Sequence, residues 1–336
     1  MTAGHFEALR IRAGLIADER VGAGWRDAAS RLAIPTYLIV LGVFVAFRIL
    51  QIGPWDSPGF DLHAYWSTRD GLDYSATRPG APGAYLYSPA FAHAIAVVTT
   101  LPWPLFAGLW TAFVGCLLIW LAGRWAIVLL LLPPVVMSVV IGQVDLLIAA
   151  AIVLGFRWPA AWALPILTKV TPGVGLLWFA VRREWRSLGI ALGATALIVA
   201  ASSAVDLEAW LGWLGMLSRG QFPRAEDGFY LDVPLGFRFA IATLVVVWGA
   251  RTDRRWTVPL AACLAMPTVW INSPTILVAI IPLAAFGART PAGRWLRRGE
   301  TATTEDSRRP AEAMEPTRRG MPPPSVRAAP EQGIEP

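Results

Sequence analysis

Lysine is almost missing from this chain: Lys169 stands alone among 28 arginines in 336 residues. Cysteine is nearly as rare. Cys116 and Cys263 are far apart and both sit in apolar stretches, so they offer no disulfide framework and no metal-ligand spacing, and read as packing residues. The three histidines, His63 and His93 among them, fall in no His/Cys/Glu cluster with metal-ligand spacing. No glycine-rich loop follows a strand pattern, which leaves no site for a soluble nucleotide sugar, ATP or a redox cofactor. Charge is scarce too, at 15% of residues, where a soluble protein carries about a quarter. That excludes the soluble globular and nucleic-acid-binding classes. No internal repeat is visible, and no small-residue cleavage site precedes the first apolar run. The first span is therefore read as retained, not as a signal peptide.

What the chain has instead is apolar length. Hydrophobic residues make up 55% of it, in runs that recur from residue 32 to 288, several near the roughly 20 residues a bilayer crossing needs. The expected fold is all-α and integral to the membrane: a multi-pass helical bundle with about ten transmembrane helices and a large first outer loop. Residues 1–31 read as a polar cytoplasmic leader, 32–288 as the membrane domain, and 289–336, rich in proline, arginine and glutamate, as a disordered cytoplasmic tail. Spans are expected at about 32–51, 104–122, 125–141, 144–157, 159–168, 172–182, 187–204, 233–250, 256–270 and 272–288. Seventeen tryptophans suit the bilayer interfaces.

The short apolar piece at 88–101 decides the topology, being short for a span and apt to lie in or re-enter the interface. If it does not cross, Arg124, Arg157, the 182–186 and 251–255 clusters, the leader and the tail share one side, holding seventeen arginines before Glu300 against four in the opposite loops. By the positive-inside rule that side is cytoplasmic. The Gly142-Gln143-Val144-Asp145 break, Lys169, the Trp270–Pro274 turn and both large loops then face outward. Broken helices and polar groups at depth are tolerated where they line a cavity, which places the candidate site on the outer face. In the second loop, Leu207, Trp210, Leu211, Leu214 and Leu217 fall at helical spacing, as for a helix lying in the interface.

Lys169 is flanked by Thr168, Thr171, proline and glycine in an otherwise apolar run. An ammonium at membrane depth costs about 2.5–3.5 kcal/mol on insertion scales, so a fixed positive charge is wanted there. A contact to a phosphate fits it; snorkelling to the interface competes. Arg48 near the outer end of the first span has the same two readings. Asp61, in Gly59-Phe-Asp-Leu-His-Ala-Tyr65-Trp66, is either a helix N-cap or a carboxylate held at the interface as a general base. Asp56, Asp70 and Asp73 read as solvated loop charges. Tyr87 opens the 88–101 piece as an interfacial anchor or as a cavity wall, together with Tyr65. Gln143 and Asp145 are a polar turn between spans or substrate contacts.

The order of these motifs, Gly-Phe-Asp61-Leu-His-Ala-Tyr65, Leu86-Tyr87-Ser88-Pro89, Gly142-Gln143-Val-Asp145, Leu167-Thr-Lys169-Val-Thr-Pro172 and a basic Arg-Arg-Glu-Trp-Arg186 stop, resembles the family 87 glycosyltransferases. These are polyprenol-phosphate-mannose-dependent mannosyltransferases of the GT-C architecture. The resemblance implies Asp61 as catalytic base. It implies a donor site for a polyprenyl-phosphate sugar bordered by Lys169, with Gln143, Asp145, Tyr65, Tyr87 and Arg48 as further binding candidates. The expected reaction moves a sugar, mannose first, to a hydroxyl of a glycan or glycolipid acceptor on the outer face, with inversion. No metal and no cofactor beyond the lipid-linked donor is expected. The membrane is expected to be a plasma membrane, a bacterial inner membrane on compositional grounds. Two positions depart from the family's pattern: Ser273-Pro274-Thr275 lacks the histidine often found after that Ser-Pro, and Asp145 replaces a more usual asparagine. A transporter or flippase of lipid-linked sugars and a non-catalytic accessory subunit are the rival readings.

Overall fold

The computed structural model describes residues 59–219, 230–284 and 290–297, apart from 76, 78 and 82. The leader, the first span with Arg48, and the tail beyond 297 lie outside them. Residues 291–297, expected as the start of a disordered tail, are instead helical, with Ala292 and Leu296 buried. Within the unit Met1–Leu296 the described residues form helices and no named strand. One isolated antiparallel bridge joins Tyr230 to Trp270.

Proline and glycine cut the apolar sequence into elements. Helix α1 (Phe60–Trp66) is a short piece of the loop expected to face outward. Helix α2 (Pro89–Thr99) begins with proline in its first turn, where a missing N–H costs nothing. Its 11 residues rise only about 16 Å, half of a hydrocarbon core near 30 Å. Helix α3 (Trp103–Leu129) runs 27 residues and is long enough to cross. Its regular α-helical part ends at Ala122, where the expected span ends, and Gly123 at φ 59 opens a 3₁₀ turn to Trp125 that leads into four more helical residues, Ala126–Leu129. The span expected at 125–141 is interrupted just before Pro133.

Helix α4 (Pro133–Ile141) and helix α5 (Asp145–Gly155) are bent 104° apart, as a broken span or a re-entrant loop. Gly142 makes this possible at φ 81, a left-handed conformation that glycine adopts without a steric penalty. Helix α5 is buried at every residue except Leu154, the mark of a central helix with no solvent or lipid face. The chain continues through a 3₁₀ turn into α6 (Ala163–Lys169), α7 (Thr171–Val181), α8 (Trp185–Val205), α9 (Leu207–Ser218), α10 (Leu235–Arg251), α11 (Thr257–Leu264) and α12 (Ser273–Leu283). Among the described residues, α3 and α8 are long and apolar enough to cross a membrane, or three spans if the bent pair counts as one.

Close packing centres on Trp162, which is fully buried. A Cβ on Gly155 or Gly175 would collide with its indole from either side, so two glycines make the slot for one ring. Helix α8 is the opposite case. Only Ala191 and Ser202 are buried along it, while Leu192, Leu197 and Ile198 point away from the protein, a surface suited to lipid. In α9, Asp206 caps the helix by accepting from the Ala209 N–H at 2.9 Å. The leucines expected on one face do share it: Leu207, Leu211, Leu214 and Leu217 are exposed, whereas Trp210 turns inward.

Arginine-bearing turns converge at one end. Arg182 donates to the Ala250 carbonyl at 3.3 Å and to Asp253 at 2.9 Å. The Arg255 guanidinium lies 5.5 Å from the Phe156 ring, and neighbouring Arg157 donates to the Trp295 carbonyl at 3.2 Å. The turns after α5, α7 and α10 therefore meet.

Candidate active site

The break between α4 and α5 is the hub of the site. Gly142 has no Cβ because Leu62 of α1 occupies that space. The Trp110 Nε1–H from α3 donates to the Gly142 carbonyl at 3.0 Å, and the Gln143 N–H donates back to the Ser138 carbonyl at 2.9 Å. The start of α1 is tied to the same place, since the Gly59 N–H donates to the Val140 carbonyl at 2.9 Å. A loop helix and a helix break, 82 residues apart in sequence, are thereby pinned together.

This pinning sets Asp61 against Gln143. The amide Nε2 donates to Asp61 Oδ2 at 2.8 Å, and the amide Oε1 accepts from the Tyr87 hydroxyl at 3.2 Å. The Tyr87 and Tyr65 hydroxyls are 3.1 Å apart. Asp61 is not the helix N-cap: that position is Gly59, and Asp61 lies inside the first turn with its side chain turned to another helix. The N-cap reading fails because left-handed Gly59 starts the helix two residues earlier. Desolvation by burial pushes the Asp61 carboxyl up to about 7. The Lys169 ammonium pulls it down, the Asp145 charge adds to the rise, and the Gln143 hydrogen bond lowers it again. Burial wins because it penalises only the ionised form. Burial also raises Tyr65 and Tyr87 well above the usual phenol range, so both stay neutral donors.

Two residues beyond Gln143, Asp145 begins α5 with no exposure. It accepts from Lys169 Nζ at 3.2 Å and from Asn272 Nδ2 at 2.8 Å. Lys169 thus neither snorkels nor stands alone: it is paired with a buried carboxylate while its own side chain stays 12% exposed. Its flanking threonines serve the backbone. Thr168 donates to the Leu164 carbonyl and Thr171 to the Lys169 carbonyl. Val170, next to the lysine, is held at φ 53, a strained value for a β-branched residue.

Of the residues singled out by sequence, Asp61, Tyr65, Tyr87, Gln143, Asp145 and Lys169 meet around one three-residue break, Gly142–Val144, and its edge, and Arg48 lies outside the described residues. Asn272 and Tyr74 were not singled out as site residues. Tyr74 donates to the Tyr87 carbonyl at 2.8 Å and so fixes the loop segment that carries Tyr87. An asparagine in the apolar Trp270–Pro274 turn was the available signal for the first; nothing local marked the second. His63 packs against Trp66 and Trp103, with ring centroids 5.7 and 5.4 Å away. Among the described residues no three His, Cys, Asp or Glu side chains gather as a metal site would require.

Chemically, the arrangement presents a carboxylate poised near neutrality, hydrogen-bonded among the described residues by Gln143 on Oδ2, beside a partly accessible ammonium in a largely apolar frame. The model of glycosyltransferase family 87 matches residues 85–296. No curated protein and no solved structure matches the chain.

Proposed function

This chain belongs to glycosyltransferase family 87, and from that premise we propose that it transfers a sugar, mannose in the first instance, from a polyprenyl-phosphate donor to a hydroxyl of a glycan or glycolipid on the outer face of a bacterial inner membrane. A membrane glycosyltransferase needs a base for the acceptor proton and a counter-charge for the leaving phosphate. The observation that carries the reading is the placement of Asp61 and Lys169 at the two ends of the network built on Gln143–Asp145.

In this reaction Asp61 Oδ1, left free by Gln143, takes the acceptor hydroxyl proton. The acceptor oxygen forms a bond to the anomeric carbon as the bond from that carbon to the phosphate oxygen breaks, and polyprenyl phosphate leaves with the electron pair. Attack from the side opposite the leaving group inverts the anomeric carbon. Lys169, with Arg48 as a second candidate, offsets charge gathering on the phosphate; pre-aimed charge of this kind is often the largest catalytic term. Gln143 and Tyr87 fix the base, Asp145 and Asn272 fix the lysine, and Tyr65 and Tyr87 wall the donor site. The proposed frame has ten spans with both termini cytoplasmic, supported by the meeting of the arginine-bearing turns. Asp61→Asn is the direct test. With labelled polyprenyl-phosphate mannose and purified protein, transfer is expected to fall by 10²–10⁴-fold, the usual worth of a general base, with protein yield unchanged. Full activity in that variant removes Asp61 from the mechanism.

A further inference from the structure

Two adjoining cavities lie along the outer-loop segment 71–75, and neither is part of the site described above. One, of about 290 Å³, is lined by Ser67, Thr68, Asp73, Thr77 and Tyr85 among others. The other, of about 480 Å³, lies between the loop and α9 and is lined by Asp73, Tyr74, Asp206, Glu208 and Arg219. They share Leu72 and Asp73, so they adjoin across a single stretch of chain as a trough in two parts. Each falls in or near the volume range of small-molecule sites, roughly 300–1,000 Å³.

The trough begins beside the proposed chemistry. Ser67, on its near wall, is six residues beyond Asp61 on the same helical stretch, about 9 Å by helix rise. Tyr85, on the same wall, is two residues from Tyr87. Tyr74, on the far wall, holds the Tyr87 carbonyl. The lining chemistry is specific in kind. Ser67, Thr68 and Thr77 line the near part, their hydroxyls donating to the Ala64, Tyr65 and Asp73 carbonyls and so open to a ligand only as acceptors. Among the described lining residues, three carboxylates (Asp73, Asp206 and Glu208) stand with one guanidinium, Arg219, which already donates to the Tyr74 carbonyl at 2.6 Å. Carboxylates are strong acceptors for hydroxyl donors, and their excess repels an anion.

We propose that this trough docks the acceptor, and that the acceptor is a neutral oligosaccharide chain of several sugar units whose terminal residue reaches Asp61. The inference rests on the transferase reading above and narrows its substrate class. It gives Asp73 a task, where the sequence alone left it as a solvated charge.

Octyl glycosides carrying one, two, three and four mannose units, with parallel glucose and galactose series, provide the test. Binding to the purified full-length protein in nanodiscs, without donor, is expected to tighten by about 10-fold from one unit to four in at least one series. The double variant Asp73→Asn/Glu208→Gln is expected to lose that gain. Equal binding across every length in the unmodified protein overturns the proposal without recourse to any variant, and so does a length gain that survives the double substitution. Length-graded binding with no transfer to any acceptor counts against the transferase chemistry and not against the trough. Transfer with length-blind binding does the reverse.

Discussion

At the scale of single residues, Asp61 ties the reaction to pH. Its carboxyl is raised from 3.8 to about 7, chiefly by burial, and only the ionised form can accept a proton. Transfer measured as kcat/KM should therefore climb about tenfold per pH unit below 7 and level off above it. Stability runs the other way. A carboxyl whose folded pKa lies above its unfolded value costs stability as pH rises from about 4 through 7, because the unfolded chain ionises first. A melting curve taken across that interval should fall while activity rises, and Asp61→Asn should flatten the fall. Lys169 and Asp145 make a second case. Removing one partner of a buried ion pair costs about 3–5 kcal/mol, because the other charge is left without compensation. Lys169→Met should thus lower the melting temperature sharply. Lys169→Met/Asp145→Asn should recover most of that loss in melting temperature yet leave transfer impaired; recovered transfer would show the lysine to be structural only. The sequence exposed Lys169, because an isolated ammonium in apolar surroundings is costly wherever it sits. It did not expose the pair, since Asp145 is 24 residues away and Asn272 a further 127 from Asp145, distances over which no local pattern reports.

At the scale of elements, the prolines and glycines told where helices begin and stop, and the polar Gln143-Val144-Asp145 segment told where the central apolar run breaks. The size of the bend was not legible, because it depends on Leu62 from a distant loop filling the space above Gly142. The same dependence gives a prediction. Gly142→Ala places a side chain both in left-handed geometry and on Leu62, so it should destabilise by more than the roughly 1 kcal/mol of an ordinary Gly-to-Ala mismatch. Adding Leu62→Ala should restore only part of that loss, since the backbone strain remains. Full recovery, read from thermal unfolding in detergent, would mean that packing alone requires the glycine. At Gly123 the helix gives way to a 3₁₀ turn where the sequence places a turn between spans, and four more helical residues follow before the chain breaks ahead of Pro133. Arg238 passed unnoticed because it lies in an apolar run without a nearby acid. Its guanidinium is buried and satisfied by four backbone carbonyls, of Val233, Leu264, Met266 and Pro267. It thereby stitches the start of α10 to the turn that leads on to Asn272.

At the scale of the whole molecule, orientation follows from where charge can rest. The turns bearing Arg157, Arg182 and Arg255 meet at one end of the bundle. Arginine-rich loops are retained on the cytoplasmic side, so this end should face the cytoplasm. On the proposed topology the loop segment 71–75, which follows the helix of Asp61, lies on the opposite, outer face, where a lipid-linked donor and a glycan acceptor would meet. Single cysteines can read this directly in a chain whose Cys116 and Cys263 are replaced by alanine. Ser75 and Thr252 are both exposed. A membrane-impermeant maleimide applied to intact spheroplasts should label Ser75→Cys at once and Thr252→Cys only after lysis. The same labelling for both positions would place the outer loop and the basic turns on one side of the bilayer. A base at 61 would then stand on the face that the arginines hold in the cytoplasm, and the transfer could not take place on the outer surface.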